Sequence, residues 1–253
     1  MHYLVTGGCG RLGKNIVKQL YQAGHQVTVF DNLSTSGRQG ITDLQKDCND
    51  DIAFFSVEMA SKEQLKDAFF KAQDGGMFQQ RIDIPALRQK GLEVVGRGRF
   101  DAVIHCAGMS EYKGNKHSIL TAFESNVIST RYLLDEMEEH RIFNLVLRSS
   151  VCVYGQSFEV VNELSPRQSI TTYGNFKSES EKDIEFRALN QPEWRAAIIR
   201  HDHSLPYEKA AQGYVSALDF ISNNKGIEIF NLGMETQKNI VSKKAKVLLD
   251  WKG

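Results

Sequence analysis

Apolar positions along this chain follow two alternating rhythms. Short runs with almost no polar break, Tyr3 to Thr6, Gln26 to Phe30 and Ile52 to Val57, read as buried strands. Between the first two, Leu12, Ile16, Val17 and Leu20 recur at helical spacing from Arg11 to Ala23, and Gly24 offers a left-handed stop. Ser61-Lys62-Glu63-Gln64 has the form of a capping box that opens a helix to about Ala72. The pattern then predicts strand from Asp101 to Cys106, helix over 118–140, strand over 143–149, helix over 173–189, strand over 194–200 and a helix-like stretch from Ala210 to Ile221. Such βα alternation predicts an α/β fold with a mostly parallel, doubly wound sheet.

Residues 73–99 interrupt the rhythm with five glycines and one proline. A few residues usually suffice between a helix and the next strand, so this stretch reads as a surface insertion. Asp83 before Ile84-Pro85 can open a short helix inside it. An active-site flap or subunit contact is one reading; a solvated excursion without chemistry is the other. No internal repeat or low-complexity tract is visible.

Composition narrows the partners. The 253 residues carry 31 basic and 31 acidic side chains, a net charge of +0, with no long Lys/Arg run. This argues against nucleic acid or an anionic membrane surface and for a small-molecule partner. No apolar stretch approaches the roughly 20 residues that span a bilayer. Cys9, Cys48, Cys106 and Cys152 show no CxxC spacing, and the first strand begins almost at Met1, so a cytoplasmic setting with reduced thiols is expected.

The strand at 3–6 runs into Gly7-Gly8-Cys9-Gly10-Arg11-Leu12-Gly13, and the strand at 26–30 ends on Asp31. Gly7 suits a turn too tight for a Cβ, Gly10 a close approach to a pyrophosphate, and Gly13 a helix lying close on its strand. The helix N-terminus then faces phosphates, and Asp31 accepts from an adenosine ribose, which favours NAD over NADP. The fold expected is therefore of the Rossmann type.

Tyr173 and Lys177 lie four positions apart, on one face of the helix expected there. A free phenol titrates near pH 10, and a nearby cation together with a cofactor charge can lower that by the ~3 units needed for a general base at neutral pH. Ser150 follows a strand at the expected carboxyl edge of the sheet, where it can share a proton with a reacting oxygen or merely cap a turn. His201-Asp202-His203 admits a metal reading without a third ligand cluster, so no metal site is expected. His105, in an apolar strand, reads as a hydrogen-bonded core residue, and Cys9 and Cys106 as small apolar packing.

Together with Asp31-Asn32-Leu33, the segment from Asp101 to Gly108, the segment from Ser149 to Gly155 and Tyr173-Gly174-Asn175-Phe176-Lys177, the glycine run resembles the extended short-chain dehydrogenase/reductases, the NAD-dependent epimerases and dehydratases. Within them it is most similar to the UDP-glucose 4-epimerases, and Asn231-Leu232-Gly233 and the stretch from Ser242 to Trp251 look like later segments of that group. The resemblance implies NAD and a nucleotide-sugar substrate, inverted at C4 through a transient keto sugar. It makes Ser150, Tyr173 and Lys177 catalytic, with Tyr173 as the base. Cofactor contacts fall on Gly7, Gly10, Arg11, Leu12, Gly13, Asp31, Asn32 and Ser36, then on Glu58 and Met59 around the adenine. Cys106, Ala107, Gly108, Asn126, Tyr173 and Lys177 complete them, and the substrate meets Ser150, Tyr173 and His203. It also implies a homodimer through the helices at 118–140 and 173–189.

The departures lie late in the chain. His201-Asp202-His203-Ser204-Leu205-Pro206 stands where such proteins carry an aromatic, Phe and Asn, and few residues follow before the terminal helix. The resemblance thus divides the chain into an NAD-binding domain over 1–200 and a reduced substrate lobe over 201–253. Two alternatives remain beside the epimerase: a sugar dehydrogenase or dehydratase, and a truncated NAD-binding protein with little catalysis.

Overall fold

The apolar runs pair side by side because strands buried on both faces can satisfy their backbone only by hydrogen-bonding one another. The computed structural model describes residues 1–73, 98–109, 116–156, 160–233 and 240–253. Its strands are β1 (His2–Thr6), β2 (Gln26–Asp31), β3 (Ala53–Ser56), β4 (Ala102–His105), β5 (Asn144–Ser150), β6 (Arg195–His201) and β7 (Gly226–Leu232). They form one sheet in the order β3-β2-β1-β4-β5-β6-β7, with every neighbouring pair parallel. All carboxyl ends therefore share one edge. The order reverses between β1 and β4, and the crevice outside that point is where such sheets bind ligands.

Helices cover both faces: α1 (Arg11–Gln22), α2 (Gly37–Asp47), α3 (Lys62–Gln73), α4 (Lys116–Phe123), α5 (Ser129–Glu139), α6 (Thr172–Asn190), α7 (Tyr207–Asn223) and α8 (Lys243–Leu248). Val5, Ile16, Leu20, Val29, Val146, Ile199 and Tyr214 share the core under α1, α2 and α7. Leu4, Phe30, Phe69, Leu134, Leu147, Ile184 and Trp194 fill the other, under α3, α5 and α6. Each such large side chain contributes roughly 1.5–3 kcal/mol on burial. The two-residue alternation along β5 sends Val146 to the first core and Leu147 to the second.

Several details differ from the sequence reading. The long helix over 118–140 is two helices joined by a π-helical turn at Glu124–Ile128. Gln64 does not return to Ser61 as a full capping box requires; its Oε1 accepts from the Glu58 N–H at 3.0 Å. α2 and β7 were not anticipated. α2 carries Gly37 and Gly40 and buries only Gly40, Ile41 and Leu44, while β7 is an edge strand whose first residues are not fully buried. Neither shows a continuous apolar signal. The division at residue 200 meets a sheet that continues past it, since α7 packs on α1 and β7 pairs with β6. Most of the 73–99 insertion, with its Asp83 helix, lies outside the described residues. Among the described residues no helix is long and apolar enough to cross a membrane.

Candidate active site

The crevice begins where β1 ends. Gly7 has φ 65°, and a Cβ there would stand 2.6 Å from the backbone nitrogen of Ala107, so the glycine turn touches the loop after β4. A Cβ on Gly13 would stand 2.2 Å from the Gly7 carbonyl oxygen, which is how α1 starts directly on the turn. Gly10 precedes α1 and no side chain caps its N-terminus, although the first N–H groups of a helix lack intrahelical partners. α2 also passes close: a Cβ on Gly40 would meet the Cys9 carbonyl oxygen at 3.0 Å. Arg11 and Leu12 open α1 on this turn.

Asp31, at the end of β2, accepts from the Cys9 N–H at 2.9 Å and the Leu33 N–H at 2.7 Å. Burial raises its carboxyl pKa, and those two backbone bonds pull the other way. Asn32 donates to Glu58 at 2.7 Å, Glu58 also accepts from the Ala60 N–H at 3.2 Å, and Met59 between them is buried. The Ser36 hydroxyl, before α2, is buried without a hydrogen-bond partner. This half of the crevice thus brings together the residues assigned to the adenosine side.

Across the switch point His105 lies between the hydroxyls of Thr6, 2.6 Å from Nδ1, and Thr130, 2.9 Å from Nε2. Burial holds it down to about 3, so it is a neutral core residue. Burial also pushes the Cys106 thiol up to about 12 and raises Cys9, which suits packing and not nucleophilic chemistry.

Gly108 follows with φ 137°, and a Cβ on it would lie 2.6 Å from Asn126 Oδ1 and 3.3 Å from Lys177 Nζ. Asn126 sits in the π-helical turn and spends its Nδ2 on the carbonyls of Met109 and Ala122, at 2.9 and 2.8 Å. Its Oδ1, the Lys177 Nζ and the Tyr173 hydroxyl are all buried without a hydrogen-bond partner. Buried polar groups are nearly always paired, so these three call for water or a ligand to complete their bonding.

Local packing sets these groups there. Ser150 ends β5 fully buried, its Oγ accepting from the Cys152 N–H at 3.2 Å. Thr171 caps α6 by accepting from the Gly174 N–H at 3.1 Å, and a Cβ on Gly174 would stand 2.5 Å from the Cys152 oxygen, so α6 starts against the turn that follows Ser150. One turn into α6, Lys177 Nζ lies 5.8 Å from the Tyr173 ring centroid. Farther along, Glu181 clamps Arg200 of β6, accepting from Nε at 2.9 Å and Nη2 at 2.6 Å, while also meeting Ser149 and Arg167.

The electrostatics depart from expectation. Burial raises the Tyr173 phenol above its ordinary 10.0, and the cation that opposes this is Arg148 of β5, not Lys177. Lys177 is itself held down to about 7, first by burial and then by repulsion from Arg148. Two desolvated cations disfavour each other, which a one-turn spacing on a helix could not reveal. Arg148 escaped the sequence reading, though an arginine inside Leu145-Val146-Leu147-Arg148 at a strand end was its visible signal.

His203 is exposed on the rim, its ring 5.6 Å from that of Tyr173 and 5.3 Å from that of His201. His201 is buried, with Nδ1 at 3.0 Å from the Tyr214 hydroxyl.

A depressed lysine predicts a pH signature. Between about 7 in the fold and 10.5 when unfolded, Lys177 is largely neutral in the native state and protonated in the unfolded one. Unfolding takes up a proton there, so stability rises with pH across that window. Lys177→Met should remove this contribution: in urea unfolding without ligand, its stability advantage over the parent is largest below pH 7 and fades toward pH 10. Parallel profiles for the two proteins would contradict the assignment.

The model of the NAD dependent epimerase/dehydratase family matches residues 3–203. Among curated relatives, the UDP-glucose 4-epimerase of Dictyostelium discoideum is 27% identical over 199 residues, covering 78% of this chain and 50% of the relative. UDP-glucose 4-epimerase 1 of Oryza sativa is 29% identical over 216 residues, covering 84% and 53%. The chain spans about half the length of the curated relatives it matches. Among solved structures, UDP-glucose-4-epimerase from Stenotrophomonas maltophila with bound NAD and formylated UDP-arabinopyranose superposes with a TM-score of 0.79 at 19% identity, covering 100% of this chain and 93% of that one. The Bifidobacterium longum enzyme in complex with NAD+ and UDP gives 0.78 at 17%, with the same coverage. At those identities the likeness concerns the fold.

Proposed function

The chain belongs to the NAD dependent epimerase/dehydratase family, and from that premise we propose that it is a nucleotide-sugar 4-epimerase of the UDP-glucose/UDP-galactose type. One observation carries the reading: the buried, unpartnered Tyr173 hydroxyl shares the sheet edge beyond the glycine turn with the equally unpartnered Lys177 Nζ and Asn126 Oδ1. The residues also fit the cofactor, since Gly7 and Gly13 let α1 start directly on a tight turn against the β4 loop, where a Cβ would strike backbone, and the α1 N-terminus has no side-chain cap. Gly7, Gly10, Arg11, Leu12 and Gly13 would hold the diphosphate, with Asp31, Asn32, Ser36, Glu58 and Met59 on the adenosine side. Cys106, Ala107, Gly108, Asn126 and Lys177 would hold the nicotinamide ribose side. Bound NAD supplies a reversible hydride acceptor at the sugar carbon.

The chain's own groups handle the proton. Tyr173 takes it from the sugar O4 as the carbon is oxidised and returns it after the keto sugar has turned over. Ser150 donates its O–H to the same oxygen, and Lys177, on binding ligand, places a cation beside the phenol. His203 borders the sugar from the rim. The bases and diphosphate of a nucleotide sugar bind away from the reacting carbon and supply energy for its orientation.

Denaturing the protein and measuring the released dinucleotide tests the cofactor, and UDP-glucose and UDP-galactose test the inversion. A retained, stoichiometric dinucleotide with C4 inversion is the expected result. Release of free NADH or loss of water from the sugar would shift the assignment to a dehydrogenase or dehydratase. A bound dinucleotide with no turnover would indicate an NAD-binding protein with little catalysis.

Exposed Ile119, Leu120 and Phe123 on α4, with Phe186 and Leu189 on α6, support pairing of two copies through these helices.

A further inference from the structure

Arg148 sits in β5 on the opposite face from its neighbour Ser149. Ser149 turns to Glu181 on α6, whereas Arg148 follows Val146 into the face layered by α1 and α7. Its Nη1 donates to the Cys106 carbonyl at 3.3 Å, and the carbonyl carbon of Cys106 would lie 2.9 Å from a Cβ on Gly7. The guanidinium therefore reaches the place where the glycine turn and the β4 loop meet. Its Nε is buried without a partner.

Among the described residues no carboxylate makes an ion pair with Arg148, and the groups that act on it are three phenols and a thiol, those of Tyr173, Tyr214, Tyr207 and Cys106. Lys177 nearby is held down in part by repulsion from Arg148 and offers it no compensation. Arg200 shows what a structural arginine in this sheet looks like: two atoms on Glu181 at 2.9 and 2.6 Å and a third on the Tyr154 hydroxyl at 2.9 Å. Arg148 is partly buried, and a partly desolvated cation without such partners is held less well than one whose partners a bound anion supplies. The uncapped N-terminus of α1, adjacent to the same turn, favours an anion as well.

We infer that Arg148 is a binding residue for the dinucleotide, its guanidinium taking the diphosphate from the β5 side while the α1 N-terminus takes it from the other. This rests on the dinucleotide reading of the crevice. A planar, forked donor suits phosphate oxygens better than a point charge does. The site thereby discriminates by charge: ligands that carry the diphosphate gain, and those that stop at the nucleoside do not.

The test uses nucleotide-free protein, with the parent, Arg148→Met and Arg148→Lys titrated calorimetrically with NAD, ADP-ribose and adenosine. Arg148→Met should weaken NAD and ADP-ribose by roughly 10- to 100-fold and leave adenosine unchanged. Arg148→Lys should fall between. Meanwhile the Tm of nucleotide-free Arg148→Met should equal the parent's to within about 2 °C, because a partly desolvated cation without a carboxylate partner contributes little to the fold. A purely structural arginine would lower Tm and weaken all three ligands alike, and that result overturns the inference. So does an unchanged ADP-ribose affinity. If the parent binds neither NAD nor ADP-ribose, the dinucleotide reading itself fails, and this one with it.

Discussion

Tyr173→Phe is expected to slow C4 inversion by about a hundred- to ten-thousandfold, the span covered by general acid–base catalysis from one positioned group. Binding of the dinucleotide should weaken far less than turnover falls, because the phenol is one contact among the many assigned to the cofactor. Stability should hold or rise slightly: the hydroxyl is buried and unpartnered, so its removal breaks no hydrogen bond and relieves a desolvation cost. Activity and stability thus move independently in this variant. Assays on UDP-galactose, with unfolding followed in parallel, check both. Parental turnover would remove Tyr173 from the mechanism, whatever becomes of the fold.

The largest stability effect is expected away from the phenol. Glu181→Gln should cost about 3–5 kcal/mol, the usual penalty when one partner of a buried ion pair is lost. Arg200 is 2% exposed and Glu181 0%, so neither water nor a side-chain shift can easily replace the missing charge. Arg167 also loses a partner at 3.1 Å. Pairing Glu181→Leu with Arg200→Met should recover most of the loss, since two apolar side chains avoid the unpaired charge. Denaturant midpoints for the single and double variants measure this coupling. A single variant within 1 kcal/mol of the parent, by roughly the scale of an ordinary surface change, would show that the clamp is not what ties α6 to the sheet.

The clamp also links scaffold to chemistry. Glu181 lies one turn beyond Lys177 on α6, so loosening it frees the helix that carries both candidate catalytic groups. Loss of the clamp should therefore lower turnover too, by less than loss of the phenol.

Much of the first half was legible in the sequence because its signals are local. The strand at Gln26–Asp31 and the helix at Arg11–Gln22 follow from side-chain periodicity within each segment. Gly24 adopts φ 79°, as its place after that helix required. α2 stayed hidden because its glycines answer to a neighbour: Gly40 is needed only because Cys9 and Ser36 crowd it. β7 was unreadable for a similar reason, as its pairing with β6 and not its own pattern makes it a strand. His105 is legible as core for the opposite reason: a histidine in an apolar strand needs hydrogen-bond partners more than it needs solvent, and Thr6 and Thr130 supply them.

By itself the sequence determined the order of the strands and helices other than α2 and β7, the glycine turn followed by an acid-ended strand, and a phenol one helical turn from an amine. These are properties of contiguous segments, set by backbone sterics and by side-chain periods of two and 3.6 residues. Tertiary structure alone decided the balance of charge at the crevice: which face of β5 Arg148 occupies, that Lys177 loses its solvation, and that Glu181 answers Arg200 and leaves Arg148 without a carboxylate. Coulomb interactions depend on distance through space and on how completely water is excluded, and neither is encoded in the spacing of residues along a chain.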